Sequence, residues 1–253
     1  SLLQNILQEK MSHFIKRLLE ITTFKYSPLY LHSIRNSISF KMHDSELKTG
    51  TTTIGIVCKD GLVLAADKRA TSGYLISYKK FDKIISITDN IAVTVAGTVS
   101  DVQLLTKYLK AELKLKDIRT GRETSVKEAA SLLANFVYSN IRKFSLIPGI
   151  SHFIIGGKDT YGFHLYDLSP DGSIVEVDDY ISSGSGSVIA FGVLETLYKR
   201  DLSLEEGVKL AAKGINAAIQ RDIASGNGVD IVTIAKDGIK KVFSKELETK
   251  IEI

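Results

Sequence analysis

The chain has 253 residues, 44% of them hydrophobic and 25% charged, with a formal net charge of +4, an ordinary profile for a soluble globular protein. Residues 1–50 hold 7 Lys/Arg against 4 Asp/Glu and so carry +3 of that charge; the remainder is near neutral and gives no basic footprint for nucleic acid. The single cysteine, Cys58, excludes an internal disulfide and a cysteine metal cluster and fits a reducing cytosol, and no apolar run reaches the roughly 18–20 residues of a membrane span.

In chain order, residues 1–50 read as a leader. Leu2–Ile21 places Leu3, Ile6, Leu7, Met11, Phe14, Ile15, Leu18 and Leu19 on one helical stripe, a face for a membrane surface, a neighbouring subunit or packing during assembly. Met42–Gly50 would by itself make a leader, if translation starts at Met42. Gly50 then precedes Thr51-Thr52-Thr53, which opens a strand.

The body after Gly50 is punctuated by turn signals. Thr52–Cys58 and Leu62–Ala66 form a strand pair about Asp60-Gly61, and Lys83–Ile87 and Ile91–Ala96 a second pair about Asp89-Asn90. Ser100 or Asp101 caps a helix through about Leu115, with Val102, Leu105, Tyr108, Leu109 and Leu113 on one face. The capping box Ser125–Glu128 opens a helix to about Phe144, stopped before Pro148. Strands return at His152–Gly156, Gly162–Leu168 and Ile174–Asp178, with Pro170-Asp171-Gly172 as a turn. A glycine-serine stretch, Ser182 to Ser187, leads into a helix through Leu197, and the capping box Ser203–Glu206 starts a helix to about Asp222. Val229–Ala235 and Ile239–Phe243, joined at Asp237-Gly238, complete the order strands, two helices, strands, two helices, strands.

Strands such as Ile91–Ala96 and Val229–Ala235 are apolar at nearly every position, so both of their faces are expected to be buried. Helices arriving in consecutive pairs around antiparallel strands predict an α+β fold, a four-layer α-β-β-α sandwich of two antiparallel sheets flanked by helix pairs.

Few residues are left for hydrolytic chemistry of the usual kinds. Three of the five histidines (His13, His32, His43) lie in the leader, and His152 and His164 fall in strands, where ordinary packed or hydrogen-bonded roles are expected. That leaves Thr51. Inside a chain its hydroxyl has no base beside it. If the Gly50–Thr51 bond is cut, the new α-amine, with an ordinary pKa of about 7.7–8.0, lies within reach of that hydroxyl, and one residue supplies nucleophile and base.

The string TG-TTTIGIVCKDGLVLAADKRAT, followed in order by KII, AGTVSD, GSGS and QRDIASG, resembles the β-subunits of the 20S proteasome, the archaeal form most closely, across Thr51–Ile253. That family belongs to the N-terminal nucleophile hydrolases, whose fold is the four-layer sandwich. The resemblance implies a threonine-type endopeptidase with residues 1–50 as a propeptide and 51–253 as the catalytic domain. It implies Thr51 as nucleophile, Asp67 and Lys83 as its carboxylate and ammonium neighbours, Ser185, Asp222 and Ser225 as a hydrogen-bonded cluster, and Gly97 as backbone donor to the oxyanion. Ala70, Thr71, Phe81, Ile85, Val95 and Val99 are implied to receive the substrate, and Gly50 and Thr51 to form the processing site. The implied partners are other β-subunits in a heptameric ring, a ring of α-subunits, an ATP-dependent unfoldase or cap, and unfolded protein substrates in the cytoplasm. No cofactor, metal, nucleic acid or membrane is called for.

Each of these parts has a plainer reading. Asp67 and Lys83 make a structural ion pair, Gly97 serves a turn, the glycines around Ser185 form a flexible connection, and Gly226 caps a helix. Asp222 at a helix C-terminus opposes the helix dipole, a local cost that points to another purpose. Gly50 is expected to serve self-cleavage by letting the backbone bend. Two other classes remain, an unprocessed and catalytically silent β-subunit, which the long leader favours, and a small-molecule amidase of the same superfamily.

Overall fold

The computed structural model describes residues 50–145 and 149–247. The leader stripe, the Met42 start and the stop at Pro148 lie outside them.

Two five-stranded antiparallel sheets form the centre. The first is built from β1 (Thr53–Cys58), β2 (Gly61–Asp67), β10 (Tyr180–Ser183), β11 (Gly228–Ala235) and β12 (Gly238–Glu246), in the order β10-β1-β2-β11-β12. The second, β5-β6-β7-β8-β9, comprises Ile84–Ser86, Ile91–Gly97, Ser151–Asp159, Gly162–Leu168 and Ile174–Val177. Helices α1 (Val99–Thr120) and α2 (Val126–Ile141) connect β6 to β7, and α3 (Ser187–Leu197) and α4 (Leu204–Arg221) connect β10 to β11.

Three hydrophobic clusters account for the layering. Leu62, Leu64 and Ile234 of the first sheet meet Ala92, Ile154 and Leu165 of the second. The other face of the second sheet packs Val93, Phe153 and Ile155 against Leu105, Leu109 and Leu133 of α1 and α2. The other face of the first packs Ile54, Ile56 and Ile231 against Leu194, Leu210 and Ile215 of α3 and α4. Alternate residues of a strand therefore serve two different cores, which is why these strands show little polar alternation. The result is the α-β-β-α sandwich expected from the element order.

Both capping boxes are present, with the Ser125 and Ser203 side chains each accepting from the backbone N–H three residues on. Elsewhere the boundaries move. Helix α1 starts earlier than expected, with Thr98 at the N-cap and no side-chain cap. It runs to Thr120, where Gly121 takes a left-handed φ of 65°. Tyr108, placed on the buried stripe by periodicity, is 52% exposed and instead packs edge-on against Phe136 at 6.3 Å. Helix α2 ends at Ile141, short of the expected Phe144, which is exposed.

Two strand segments carry no advance signal of their own. Strands β3 (Ala70–Ser72) and β4 (Leu75–Tyr78) make a separate hairpin. Strand β10 includes Ser182 and Ser183, read from sequence as part of a loop. Serine is a weak strand former, but here the polar side chains bond laterally. Ser183 Oγ lies 2.8 Å from Thr53 Oγ1, and Ser182 Oγ donates to Thr53 O at 2.8 Å.

Candidate active site

The opening threonines sit where the two sheets converge. β1 and β2 pair from Thr53↔Ala66 to Cys58↔Gly61, so the turn at Asp60-Gly61 carries Asp67 back beside the start of β1. Asp67 is 1% exposed. Its Oδ1 accepts from Thr52 N at 2.9 Å and from Lys83 Nζ at 2.6 Å. Its Oδ2 accepts from Arg69 N at 3.0 Å and Gly226 N at 2.8 Å. Four donors thus hold one buried carboxylate.

Lys83, just ahead of β5, is 2% exposed. Burial lowers its proton affinity below that of an ordinary lysine, and the Asp67 carboxylate, the next largest influence, pulls the other way. The net direction is down. The ion pair with Asp67 by itself favours the charged lysine; desolvation outweighs it and leaves Lys83 closer to proton exchange.

The hydroxyl of Thr51 donates to Gly50 O at 2.6 Å. On the other side Thr51 N donates to Ser185 Oγ at 3.2 Å. Ser185 Oγ and Ser225 Oγ each donate to Asp222 Oδ2 at 2.6 Å, and Ser225 Oγ lies 2.6 Å from Thr52 Oγ1. Thr52, not singled out from sequence, therefore links the serine pair to the Asp67 group through its backbone and side chain.

The local backbone is shaped to allow this. A β-carbon on Gly184 would stand 2.1 Å from Thr51 O, and one on Gly186 would stand 2.0 Å from Thr52 Oγ1. These glycines permit close approach, a different purpose from a flexible connection. Helix α4 ends at Arg221 with Asp222 as C-cap in an extended conformation, so Gly226 is not the cap. Instead Gly226 donates to Asp67, and a β-carbon there would meet the Arg69 guanidinium at 2.4 Å.

Gly97 ends β6 at a φ of +126°, and a β-carbon would fall 2.3 Å from Ile150 O. Both strain and crowding require glycine. Val95 N donates to Lys83 O and Thr98 N to Ile150 O, each at 2.9 Å. That alternation along β6 aims the Gly97 N–H towards the Lys83 side.

A small open pocket lies there, lined by Gly50, Thr51, Ala70, Thr71, Phe81, Lys83, Val95, Ala96, Gly97, Val99 and Val102. Thr51, Lys83 and Gly97 share it with five of the six residues expected to receive substrate. Ile85 is the exception. Two residues beyond Lys83 and opposite Val93, Ile85 shares their face of the strand but is not part of the pocket lining, and it packs against the core beneath α1 and α2. Ala96 and Val102 line the pocket without having been singled out; the AGTVSD string that contains the first was the available signal.

Residues 47–234 match the family model for the proteasome subunit. The chain belongs to the proteasome subunit family. It is 45% identical to "Proteasome subunit beta" of Methanocaldococcus vulcanius over 199 residues, covering 78% of this chain and 87% of that protein. It is 43% identical to "Proteasome subunit beta" of Ferroglobus placidus over 211 residues, 83% and 98% of the two chains. "Proteasome subunit beta 2" of Aeropyrum pernix is 44% identical over 197 residues, 78% of this chain and 87% of that protein.

Among the described residues, His152, His164 and Cys58 of this proteasome-family chain are not part of the pocket lining. His152 Nε2 lies 2.6 Å from Asp167 Oδ1 and His164 Nδ1 lies 2.8 Å from Glu176 Oε1, both ordinary hydrogen-bonded residues as expected. Cys58 is buried, and burial, with Asp60 and Glu206 adding, pushes its thiol up to about 12; such a thiol is inert near neutral pH. Among the described residues no cluster of three or more His, Cys, Asp or Glu is arranged to hold a metal, and no helix is long and apolar enough to cross a membrane.

Proposed function

We propose that the chain is a proteolytic β-subunit of a 20S proteasome core, activated by self-cleavage between Gly50 and Thr51. The observation that carries this reading is the Thr51 hydroxyl at 2.6 Å from the carbonyl oxygen of the bond to be cut, in the same pocket as Lys83. In the uncut chain Thr51 N is an amide and cannot take a proton. Lys83, whose proton affinity burial lowers, gives up its own proton more readily than an ordinary lysine, and in its neutral form it is the neighbouring group that accepts the hydroxyl proton as Thr51 Oγ attacks the Gly50 carbonyl carbon. The C–N bond then breaks, the nitrogen takes a proton, and water hydrolyses the resulting ester to a Gly50 carboxylate and a free Thr51.

The new amine lies where Thr51 N now meets Ser185 Oγ. For a peptide substrate it accepts the hydroxyl proton during attack and returns a proton to the leaving amine, and water again resolves the ester. The Gly97 N–H faces the developing oxyanion, a contribution of about 2.7–4 kcal/mol where it has been measured in other hydrolases. Residues 1–50 act as the propeptide and 51–253 as the catalytic domain. The subunit joins other β-subunits in a heptameric ring against an α-subunit ring, and receives unfolded protein from an ATP-dependent unfoldase in the cytoplasm. The deciding measurement is the N-terminal residue of the assembled protein. Thr51 supports the peptidase; a retained leader supports a silent subunit.

Two further outcomes follow from the same geometry. Asp222→Asn keeps the shape but removes the charge that receives two hydroxyl donors, each such bond being worth about 1.5–3 kcal/mol. Peptide turnover by the assembled core is expected to fall about 10–100-fold; unchanged turnover would remove Asp222 from the mechanism. The pocket walls Ala70, Phe81, Val95, Val99 and Val102 are apolar, so fluorogenic peptides ending in a large hydrophobic residue are expected to be cleaved at least about tenfold faster than those ending in Arg or Asp, whose charge would be buried unpaired. Equal rates would show that these walls do not select.

A further inference from the structure

The uncut junction is gripped at more points than the attack itself requires. Gly50 N donates to Thr71 Oγ1 at 2.9 Å, and Gly50 O accepts from Thr51 Oγ1 at 2.6 Å. The third side of the residue is closed by Ala224. A β-carbon built on Gly50 would lie 1.6 Å from Ala224 Cβ, 2.6 Å from its Cα and 2.9 Å from its O. No side chain fits unless one of the two segments moves.

Ala224 has little freedom to retreat. Immediately before it, Ile223 O accepts from Arg69 Nη1 at 2.7 Å. Immediately after it, Ser225 Oγ is bonded to Asp222 and to Thr52, and Gly226 N to Asp67. Asn227 Oδ1 accepts from Arg69 Nε at 2.8 Å. The segment around Ala224 is thus tied to β2 and to the residues leading into β1. A methyl group at position 50 would be accommodated by displacing the Gly50 carbonyl, and that is the group the Thr51 hydroxyl must reach.

We infer that Ala224 determines which residue can precede the cleaved bond, selecting glycine by volume, with Thr71 Oγ1 orienting the peptide so selected. The inference rests on the self-cleavage reading above. It replaces backbone freedom as the reason for glycine at position 50 with a contact between two side-chain positions 174 residues apart in sequence. Misplacing a reacting carbonyl by about 1 Å costs on the order of 100-fold in rate, and the overlap here, 1.6 Å where ordinary contact is 3.4–4 Å, is larger than that.

The two explanations separate in a mutant cycle on the full-length chain, assembled with its ring partners, reading the fraction of molecules that begin at Thr51 by intact mass against time. The unmodified chain is expected to be cleaved, and Gly50→Ala to be cleaved at least tenfold more slowly. Adding Ala224→Gly to Gly50→Ala is expected to restore part of the lost rate, because it removes the nearest of the three obstructing atoms while Cα and O of residue 224 stay. Ala224→Val with Gly50 intact is a separate arm that enlarges the obstacle, and it is expected to slow cleavage. Thermal unfolding of each variant shows that the comparison is made on folded protein.

Cleavage of Gly50→Ala at the normal rate overturns the inference. So does a double variant no faster than Gly50→Ala alone, since backbone freedom at position 50 is not returned by a change at position 224. Normal cleavage of a folded Ala224→Val chain has the same meaning. An unmodified chain that assembles and keeps its leader overturns the self-cleavage reading itself, and with it the inference. The two failures are therefore told apart by the unmodified chain.

Discussion

Thr51→Ala is expected to stop both leader removal and peptide hydrolysis, a loss of about 10³-fold or more in turnover, as when a covalent nucleophile is deleted. The deletion removes the hydroxyl that donates to Gly50 O while leaving the Thr51 N to Ser185 contact and the surrounding strands in place. Thr51→Ser keeps a hydroxyl and, once cleaved, an amine, so measurable activity is expected to remain. The pair of variants separates chemistry from folding. Intact mass reports the leader and a fluorogenic peptide reports turnover. Turnover by assembled Thr51→Ala at more than about a tenth of the normal rate would show that another residue is the nucleophile.

Lys83→Arg is expected to lower turnover by about 100-fold or more although the charge is retained. Lys83 is enclosed, with its ammonium 2.6 Å from Asp67 Oδ1, and that oxygen also serves Thr52 N. A planar guanidinium is larger, presents its donors in a fixed fork, and does not give up a proton in proteins. It therefore cannot act as the acceptor assigned to Lys83, whose affinity burial has lowered. Leader removal should suffer at least as much as peptide turnover, because the Thr51 amine is not yet available to share the task. If Lys83→Arg processes its leader normally, the lysine acts only as a fixed charge.

Sequence reasoning reached the fold because its evidence was local and periodic. Turn signals at Asp60-Gly61 and Asp237-Gly238 fix hairpins, capping boxes fix two helix starts, and strands apolar on both faces require layers on either side. The features it missed depend on partners far away in the chain. Ser182 and Ser183 become a strand only because Thr53 is beside them. The early start of α1 has no side-chain cap to announce it. Gly226 looks like a helix cap by position, yet its requirement comes from Arg69 and Asp67.

The site divides in the same way. The residues themselves pointed to Thr51 and the family resemblance to Asp67, Lys83, Gly97, Ser185, Asp222 and Ser225, and the structure brings these residues into two linked groups. It does not bring Ile85 into the pocket lining, because that side chain, though on the same strand face as Lys83, packs against the core beneath α1 and α2. Thr52 was legible only as one of three adjacent threonines. Its backbone bond to Asp67 and its hydroxyl contact with Ser225 show why the second threonine matters separately from the first.

The four donors to Asp67 come from residues 52, 69, 83 and 226, and the last of these lies close to the C-terminal strands. During synthesis the ribosome releases residue 226 well after the others, so a partly made chain holds Thr51 without the complete electrostatic setting around it. In the proposed self-cleavage, competence to cut therefore trails completion of the fold.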